Sequence, residues 1–149
     1  DAAFMAFKPE ALSWRETAAL PLVTITAWEA MVDRTRIAPG DHVLIHGGAG
    51  GVGHIAIQLA KAQGARVAAT ISSAAKADIA RRMGADETIN YREESVEDYV
   101  QRLTSGRGFD VVFDATGGSD IATSFAGARV NGQVATTMSP LGRKMASCG

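Results

Sequence analysis

A short apolar run followed at once by clustered glycines is the feature that most constrains this chain. Residues 42–46 read His-Val-Leu-Ile-His, and Gly48-Ala49-Gly50-Gly51-Val52-Gly53 follows with G-x-G-x-x-G spacing. The apolar run predicts a buried strand. Residues 52–63 then carry apolar side chains at helical spacing, and Gly64 is suited to end that helix. A strand, a glycine loop and a helix in this order are the context in which such a loop binds a dinucleotide.

Each glycine of the loop has its own predicted role. Gly48 allows the tight turn, Gly50 lets the backbone approach a pyrophosphate, and Gly53 lets the helix pack closely on the strand. The helix N-terminus offers free N–H groups and a positive dipole end to the phosphates. A P-loop is excluded because no Gly-Lys-Ser/Thr follows. The candidate cofactor-binding residues of the loop are Ala49, Gly50, Gly51, Val52 and Gly53; the alternative is a flexible turn without a ligand.

The rest of the chain repeats the alternation of strand and helix. Further strands are predicted at residues 66–71, 87–90, 109–113 and 133–137, and further helices at residues 27–34, 72–83, 95–103 and 121–128. This order predicts an α/β fold, a doubly wound parallel sheet of Rossmann type with helices on both faces and without its last strand.

Composition excludes several classes of protein. The chain has 149 residues, a net charge of −1 and 46% apolar residues, which is typical of one globular domain. The balanced charge gives no case for binding nucleic acid, and no apolar run is long enough to span a membrane. The single cysteine, Cys148, excludes an internal disulfide and a multi-cysteine zinc site, and it favours a reducing, cytoplasmic location.

The end of the second predicted strand bears on the choice of cofactor. A site for NAD usually carries Asp or Glu about 20 residues after the glycine loop, where it binds the ribose 2′-OH. Residues 69–76 contain no acid, and the first one, Asp78, lies inside the predicted helix. Ser72, Ser73 and Lys76 would instead suit a 2′-phosphate. We therefore expect NADP(H); the alternative is that the serines only cap the helix and that Lys76 is a solvated charge.

With these residues in hand, the chain resembles the medium-chain dehydrogenase/reductase superfamily, and most of all its zinc-independent quinone oxidoreductase branch. Together the matching segments cover most of residues 18–137 in family order and spacing. They are Ala18-Ala19-Leu20-Pro21, Thr26-Ala27-Trp28, Pro39-Gly40-Asp41, His46 to Gly53, Gln58-Leu59-Ala60-Lys61, Met83-Gly84-Ala85-Asp86, Asn90-Tyr91-Arg92 and Phe113-Asp114-Ala115-Thr116-Gly117-Gly118.

The resemblance implies a two-domain protein of which this chain is a fragment. Residues 1–25 would be the tail of a preceding catalytic domain with its connector, and residues 26–149 the dinucleotide-binding domain; the alternative is a mature small protein. The implied activity is hydride transfer from NADPH to a small-molecule substrate, either a quinone or an electron-poor C=C or carbonyl compound. Family members are often dimers, so a homodimer is possible.

The resemblance also implies roles for individual residues. Thr26 is similar to a threonine near the nicotinamide end of the cofactor, and Lys76 and Tyr91 resemble residues that contact the 2′-phosphate. Ala115 and Thr116 lie where that branch contacts the cofactor. The simpler alternatives are that Thr26 caps the helix carrying Trp28 and that Tyr91 covers the edge of the sheet. No catalytic acid or base can be named.

Zinc is not expected. Zinc-dependent members of the superfamily carry a Cys or Asp ligand a few residues before the Thr-Ala-Trp stretch, whereas Leu20 to Ile25 offers no ligand side chain. His46 and His54 flank the glycine loop without converging on one site. The alternatives are a zinc-dependent alcohol dehydrogenase and a non-catalytic nucleotide-binding module. An S-adenosylmethionine methyltransferase would share the glycine loop but has no place for the Thr-Ala-Trp and Asn-Tyr-Arg segments.

Overall fold

Helices and strands alternate along the part of the chain that the computed structural model describes, residues 5–116 and 121–137. Gly117, Gly118 and Cys148 lie outside these residues. The strands are β1 (His42–His46), β2 (Arg66–Ile71), β3 (Glu87–Asn90), β4 (Phe109–Asp114) and β5 (Ala128–Thr136). The helices are α1 (Trp14–Trp28), which continues into a π-helical turn (Glu29–Asp33), α2 (Gly51–Ala62), α3 (Ala74–Arg82), α4 (Val96–Thr104) and α5 (Ile121–Gly127).

The strands form one parallel sheet in the order β3-β2-β1-β4-β5. These are the first five positions of the doubly wound order 3-2-1-4-5-6, so the predicted fold class is confirmed. The order reverses between β1 and β4. In such sheets a crevice opens at this point, beyond the carboxyl ends of the strands, and this crevice is where ligands bind.

The sheet is covered on both faces because its central strands carry apolar side chains that point to both sides. Val43 and Ile45 of β1 pack with α1, α2 and α3, whereas Leu44 packs on the opposite face against Tyr99 of α4. All four side chains are buried. Near-continuous apolar strands of this kind require helices on both sides, which is what the alternation of strands and helices provides.

The first helix begins much earlier than predicted. The predicted helix started at residue 27, but α1 starts at Trp14, where Ser13 and Glu16 form a reciprocal capping box. Pro21 lies inside this helix, which is why the spacing argument stopped short of it. The alternative that Thr26 caps a helix is wrong, because Thr26 lies within α1 and its hydroxyl donates to the Leu22 carbonyl at 2.8 Å.

The last strand is also longer than predicted. It starts at Ala128, not at residue 133, directly after α5. Phe109 pairs with Ala128, and Val111 pairs with Gln133. Between these two pairs β4 has one residue, whereas β5 has three more than that. Asn131 takes a positive φ of 61° in this bulge. Its Asn131-Gly132 sequence is typical of a turn, which explains why the prediction began the strand after it.

Two of the segments that carry the family resemblance have a structural role. The Lys61 ammonium of α2 contacts both carboxylate oxygens of Asp86, at 2.9 and 2.8 Å, and Asp86 also accepts from the Val67 N–H at 2.7 Å. Burial acts to raise the pKa of Asp86, but the bonds from Lys61 and Val67 outweigh it and lower that pKa. The cluster joins α2, β2 and the turn before β3, at some distance along the chain from the glycine loop.

Candidate functional site

The glycine loop is attached to the second strand through one threonine. Thr70, which is buried in β2, accepts the Gly47 N–H on its hydroxyl oxygen at 3.1 Å and the Gly48 N–H on its carbonyl at 3.1 Å. The loop therefore has a fixed position at the carboxyl edge of the sheet, beside the point where the strand order reverses. Sequence reasoning did not identify Thr70, because its contact with the loop depends on the pairing of β1 with β2.

The glycines of the loop have distinct reasons for being glycine, and two predictions need correction. The tight turn is made by Gly47, which has a positive φ of 72°, and not by Gly48. A Cβ on Gly48 would lie 2.6 Å from the Ala69 Cβ, so this glycine allows close packing on β2. Gly53 was predicted to let the helix pack closely on the strand; its Cβ would instead lie 2.2 Å from the Gly47 carbonyl oxygen, so the close approach is to the loop that follows β1.

The N-terminus of α2 is open. Gly50 is the N-cap residue and supplies no side-chain cap, and the first helical bond is donated by the His54 N–H to the Gly50 carbonyl at 3.0 Å. A Cβ on Gly50 would meet one atom of the described residues within 4 Å, the Gly47 carbonyl oxygen at 3.2 Å. The amides of the first turn and the dipole end can therefore receive an anionic group.

A cavity of about 540 Å³ lies at the carboxyl ends of β1, β2 and β4, against α4 and α5. Its lining includes the last residues of two strands, His46 and Asp114, together with Thr70. Two predicted cofactor residues, Tyr91 and Thr116, also line it. The structure thus brings these two residues to one cavity, which has the size of a small-ligand site.

A buried carboxylate fixes the loop at the end of β4. Asp114 accepts from the Thr116 N–H at 2.9 Å and from the Thr116 hydroxyl at 2.6 Å. Ala115 is held as well, since its N–H donates to the His46 carbonyl at 3.3 Å. Asp114 is a residue that the sequence analysis did not select, although an Asp directly after a buried apolar strand was visible there.

The predicted phosphate-binding residues lie where β2 and β3 end. Ser73 occupies the N-cap position of α3, but its side chain makes no capping bond, so the alternative that Ser73 caps the helix through its hydroxyl is wrong. Ser72 is partly exposed, and Lys76 is exposed in the first turn of α3. The Tyr91 N–H donates to the Ile71 carbonyl at 3.3 Å, which sets Tyr91 beside the start of this segment.

Lys76 has no ion-pair partner among residues 5–116 and 121–137, unlike Lys61. Tyr91 is 56% exposed, and its contact with a cofactor phosphate stays a prediction. The Arg92 guanidinium carbon lies 6.0 Å from the centre of the Tyr91 ring. The sequence analysis quoted Arg92 within a matching segment but gave it no role.

Thr26 lies apart from the other candidates. It lines a second cavity, of about 630 Å³, which runs along the outer side of β5. Glu29, Arg34 and Thr35 of the segment after α1 also line this cavity. Thr26 is therefore not brought to the cavity that holds Tyr91 and Thr116, and it belongs to the opposite side of the switch point in the sheet.

Metal ligands do not cluster in the described part of the chain. No group of three or more His, Cys, Asp or Glu side chains there could hold a metal ion. His46 Nδ1 lies 3.4 Å from the Thr70 hydroxyl, and His54 Nδ1 lies 2.9 Å from the Gly50 carbonyl. The absence of zinc stays a prediction. None of the helices in the described ranges has the length and hydropathy to cross a membrane.

Comparison with known proteins identifies the family. The sequence model of the family described as zinc-binding dehydrogenase matches residues 51–143. The chain belongs to this family. Its relatives confirm the expected superfamily, the medium-chain dehydrogenases/reductases, and the quinone oxidoreductase-like branch. The chain is 39% identical over 118 residues to a 2-haloacrylate reductase of Burkholderia, a match that covers 79% of this chain and 35% of the relative.

Two further relatives differ greatly in length. A quinone oxidoreductase of Salmonella typhimurium is 41% identical over 112 residues, which cover 75% of this chain and 34% of the relative. A hybrid PKS-NRPS synthetase of Aspergillus violaceofuscus is 41% identical over 122 residues, which cover 80% of this chain and 3% of the relative. The chain therefore spans about a third of the shorter relatives and a very small part of the synthetase.

Solved structures share the fold. An alcohol dehydrogenase superfamily protein from Novosphingobium aromaticivorans superposes with a TM-score of 0.89 at 44% identity, over 98% of this chain and 43% of that chain. A mycobacterial protein complexed with NADPH has a TM-score of 0.80 at 34% identity, over 88% of this chain and 40% of that chain. A protein described as an NAD-dependent alcohol dehydrogenase has a TM-score of 0.83 at 40% identity, over 93% of this chain and 41% of that chain.

Proposed function

We propose that this chain is the cofactor-binding domain of an NADPH-dependent oxidoreductase, which transfers a hydride to a quinone or to an electron-poor C=C or carbonyl compound. The observation that carries the proposal is the open N-terminus of α2, with Gly50 as a bare N-cap, beside a cavity at the switch point of a parallel sheet. Relatives named as reductases of quinones and of 2-haloacrylate support the reaction class.

In this proposal the glycine loop holds the pyrophosphate. The amides of Gly51, Val52 and Gly53 are the first of α2 and donate to the phosphate oxygens, and the helix dipole adds to this attraction. The Thr70 contacts keep the loop in place before the ligand arrives, because Thr70 holds both Gly47 and Gly48. A loop that is already ordered loses little conformational entropy on binding.

Separate groups of residues would hold the two halves of the dinucleotide. Tyr91 and Thr116, which line the cavity of about 540 Å³, and the neighbouring Ala115 would hold the adenosine half. Thr26, which lines a cavity with residues of β5, would hold the nicotinamide half. When bound, the nicotinamide supplies the hydride. The chain's own residues bind and orient the cofactor, and Asp114 keeps the Thr116 hydroxyl in one position through a 2.6 Å hydrogen bond.

The preference for NADPH rests on the region after β2. No carboxylate is present at residues 69–76 to bind a ribose 2′-OH, whereas the Ser72 and Ser73 hydroxyls and the Lys76 ammonium suit a phosphate. The Ser73 hydroxyl is not used as a helix cap, and Lys76 is exposed and forms no ion pair with other described residues. Both groups are therefore available to a ligand.

We also propose that residues 26–149 form one domain of a longer polypeptide. Another part of that polypeptide would cover the outer face of α1. Trp14, Leu22, Ile25 and Trp28 lie on one side of this helix and are 78%, 76%, 66% and 49% exposed. The opposite side already packs on α2 through Val23. An exposed apolar stripe of this kind is typical of a surface that another part of a protein covers, and the solved relative from Novosphingobium is more than twice as long as its matched part.

The test of the proposed function is cofactor binding and turnover. Removing a charge-assisted contact costs about 1.5–3 kcal/mol, so Lys76→Ala should weaken NADPH binding roughly ten- to a hundred-fold and leave NADH binding nearly unchanged. Arg82→Ala, at the other end of α3, is the matched control and should change neither. Equal losses for the two cofactors with Lys76→Ala would refute the 2′-phosphate role. NADPH oxidation by the complete protein with quinones and enones tests the reaction class.

A further inference from the structure

Gly51 is the glycine of the loop that the dinucleotide pattern does not require. It stands at one of the x positions of G-x-G-x-x-G and is the first residue of α2. Alanine is a better helix former than glycine, so the helix alone gives no reason for a glycine there. A Cβ on Gly51 would lie 3.1 Å from the Val23 Cγ1 of α1, and outside the neighbouring backbone no other described atom would lie within 4 Å of it. Val23 thus occupies the space that a side chain at position 51 needs.

Val23 reaches the loop because it extends the buried face of α1. Ala27 and Met31, four and eight residues further along the chain, are fully buried and belong to one core cluster with Ala56 of α2. Residues four apart lie on the same side of a helix, so Val23 lies one turn before Ala27 on this side. The half-buried Val23 side chain is β-branched and has one strongly preferred χ1 value in a helix. The first turn of α2 therefore packs on a side chain of defined position.

The contact matters because the N-terminus of α2 lacks a side-chain cap. Gly50, the N-cap residue, supplies none, and Thr70 holds the opposite end of the loop. Donors that bind one ligand together must be held to within about 0.5 Å by the packing around them. Val23 supplies such packing at Gly51, whose amide is the first of those proposed to bind the pyrophosphate.

We propose that Val23 is a positioning residue, which packs on Gly51 and so sets the first turn of α2 for dinucleotide binding. This inference rests on the proposed function. Val23 and Gly51 are complementary in size: a smaller side chain at position 23 leaves a gap, and a methyl group at position 51 forces Val23 to move. Each single substitution to alanine should therefore displace the first turn. The two substitutions together should restore the contact, because the new methyl group fills the gap.

The experiment is a double-mutant cycle in the complete protein, with calorimetric titrations of NADPH and NADH and with circular dichroism melts. Val23→Ala and Gly51→Ala should each weaken both cofactors by the same factor, roughly three- to tenfold, because residues in contact couple at this level. The double variant should recover most of the lost affinity. Val130→Ala is the matched control: it is the same substitution at a valine of β5 that is 85% exposed, and it should change neither affinity.

The outcomes separate a positioning role from a merely structural one. If Val23→Ala lowers the melting temperature but the folded variant binds both cofactors like wild type, the inference is refuted and the proposed function stands. Losses of the two single variants that add up in the double variant would also refute it, since the two residues would then act independently. A loss confined to NADPH would contradict a role at the shared part of the cofactors. If wild type binds neither cofactor, the proposed function itself fails.

Discussion

Two glycines of the same loop offer a matched pair of perturbations, since one faces the proposed ligand and the other faces the protein. A Cβ on Gly50 would approach one atom within 4 Å, the Gly47 carbonyl oxygen at 3.2 Å. A Cβ on Gly53 would lie 2.2 Å from that same oxygen and 2.9 Å from both the Gly47 carbonyl carbon and the Gly48 Cα. Gly50→Val should therefore affect binding, and Gly53→Ala should affect stability.

The magnitudes follow from these distances. Gly50 has φ −81° and ψ 172°, which valine adopts without strain, so Gly50→Val should cost about 1 kcal/mol through the poorer N-cap. Gly53→Ala forces loop backbone to move and should cost about 3 kcal/mol or more. A loss of 1 kcal/mol lowers the melting temperature of a chain of this size by roughly 2–4 °C. The melting temperature should therefore fall by about 2–4 °C for Gly50→Val and by about 6–12 °C or more for Gly53→Ala.

The assay is a melt by far-UV circular dichroism together with a calorimetric titration. Gly50→Val should melt near wild type and bind neither NADPH nor NADH, because the side chain blocks the amides that both cofactors share. The two cofactors should be lost together, unlike with Lys76→Ala. A folded Gly50→Val protein with near wild-type affinity for either cofactor would refute the loop as the pyrophosphate site. A Gly53→Ala protein as stable as wild type would refute the packing argument.

Three further predictions concern zinc and two groups away from the loop. The complete protein should hold no zinc, because Leu20 to Ile25 lies within α1 without a ligand side chain; metal analysis that finds one tightly bound zinc per subunit, with activity lost on chelation, would contradict this. Burial, with the charges of Glu97 and Glu94, raises the pKa of Tyr99 to about 12, so the folded state disfavours the ionised phenol and the free energy of unfolding should fall as pH rises from about 10 to 12. Urea melts should show a loss of roughly 2 kcal/mol there that Tyr99→Phe abolishes; at pH 7 the variant should be no less stable, since the hydroxyl has no hydrogen-bond partner among the described residues. Lys61→Met should destabilise the fold by about 1 kcal/mol at pH 7, because the pair with Asp86 is partly exposed. The Asp86 carboxylate loses its charge as pH falls through its lowered pKa, so the difference in unfolding free energy between wild type and Lys61→Met should shrink there. A difference in unfolding free energy that stays constant in acid melts would contradict the pairing.

The sequence predicted the architecture because the elements of this sheet are locally consistent. Apolar strands, glycine stops and helical spacing all indicate the same order, and β1, β2 and β3 have the predicted bounds. The start of α1 was missed because Pro21 interrupts the pattern, although Ser13 and Glu16 carry the spacing of a capping box. The start of β5 was missed because a bulge at Asn131 depends on pairing with β4, which no local pattern reveals.

The candidate site was predictable only where its chemistry is local. The glycine loop and the acid-free end of β2 are contiguous in the chain, and both were found. Thr70 and Ala115 act through contacts between separate strands, namely the hydrogen bond from the Gly47 N–H to the Thr70 hydroxyl and that from the Ala115 N–H to the His46 carbonyl. Spacing within the sequence does not specify such contacts. They appear only once the strand order brings β1, β2 and β4 together.

The central claim is that this chain binds a dinucleotide at the open N-terminus of α2 and prefers the form with a 2′-phosphate. The most direct measurement is a calorimetric titration of the wild-type chain with NADPH and NADH under identical conditions. We predict one site for each cofactor and an affinity for NADPH at least about tenfold higher, as expected for a charge-assisted contact. No binding of either cofactor, or tighter binding of NADH, would contradict the account.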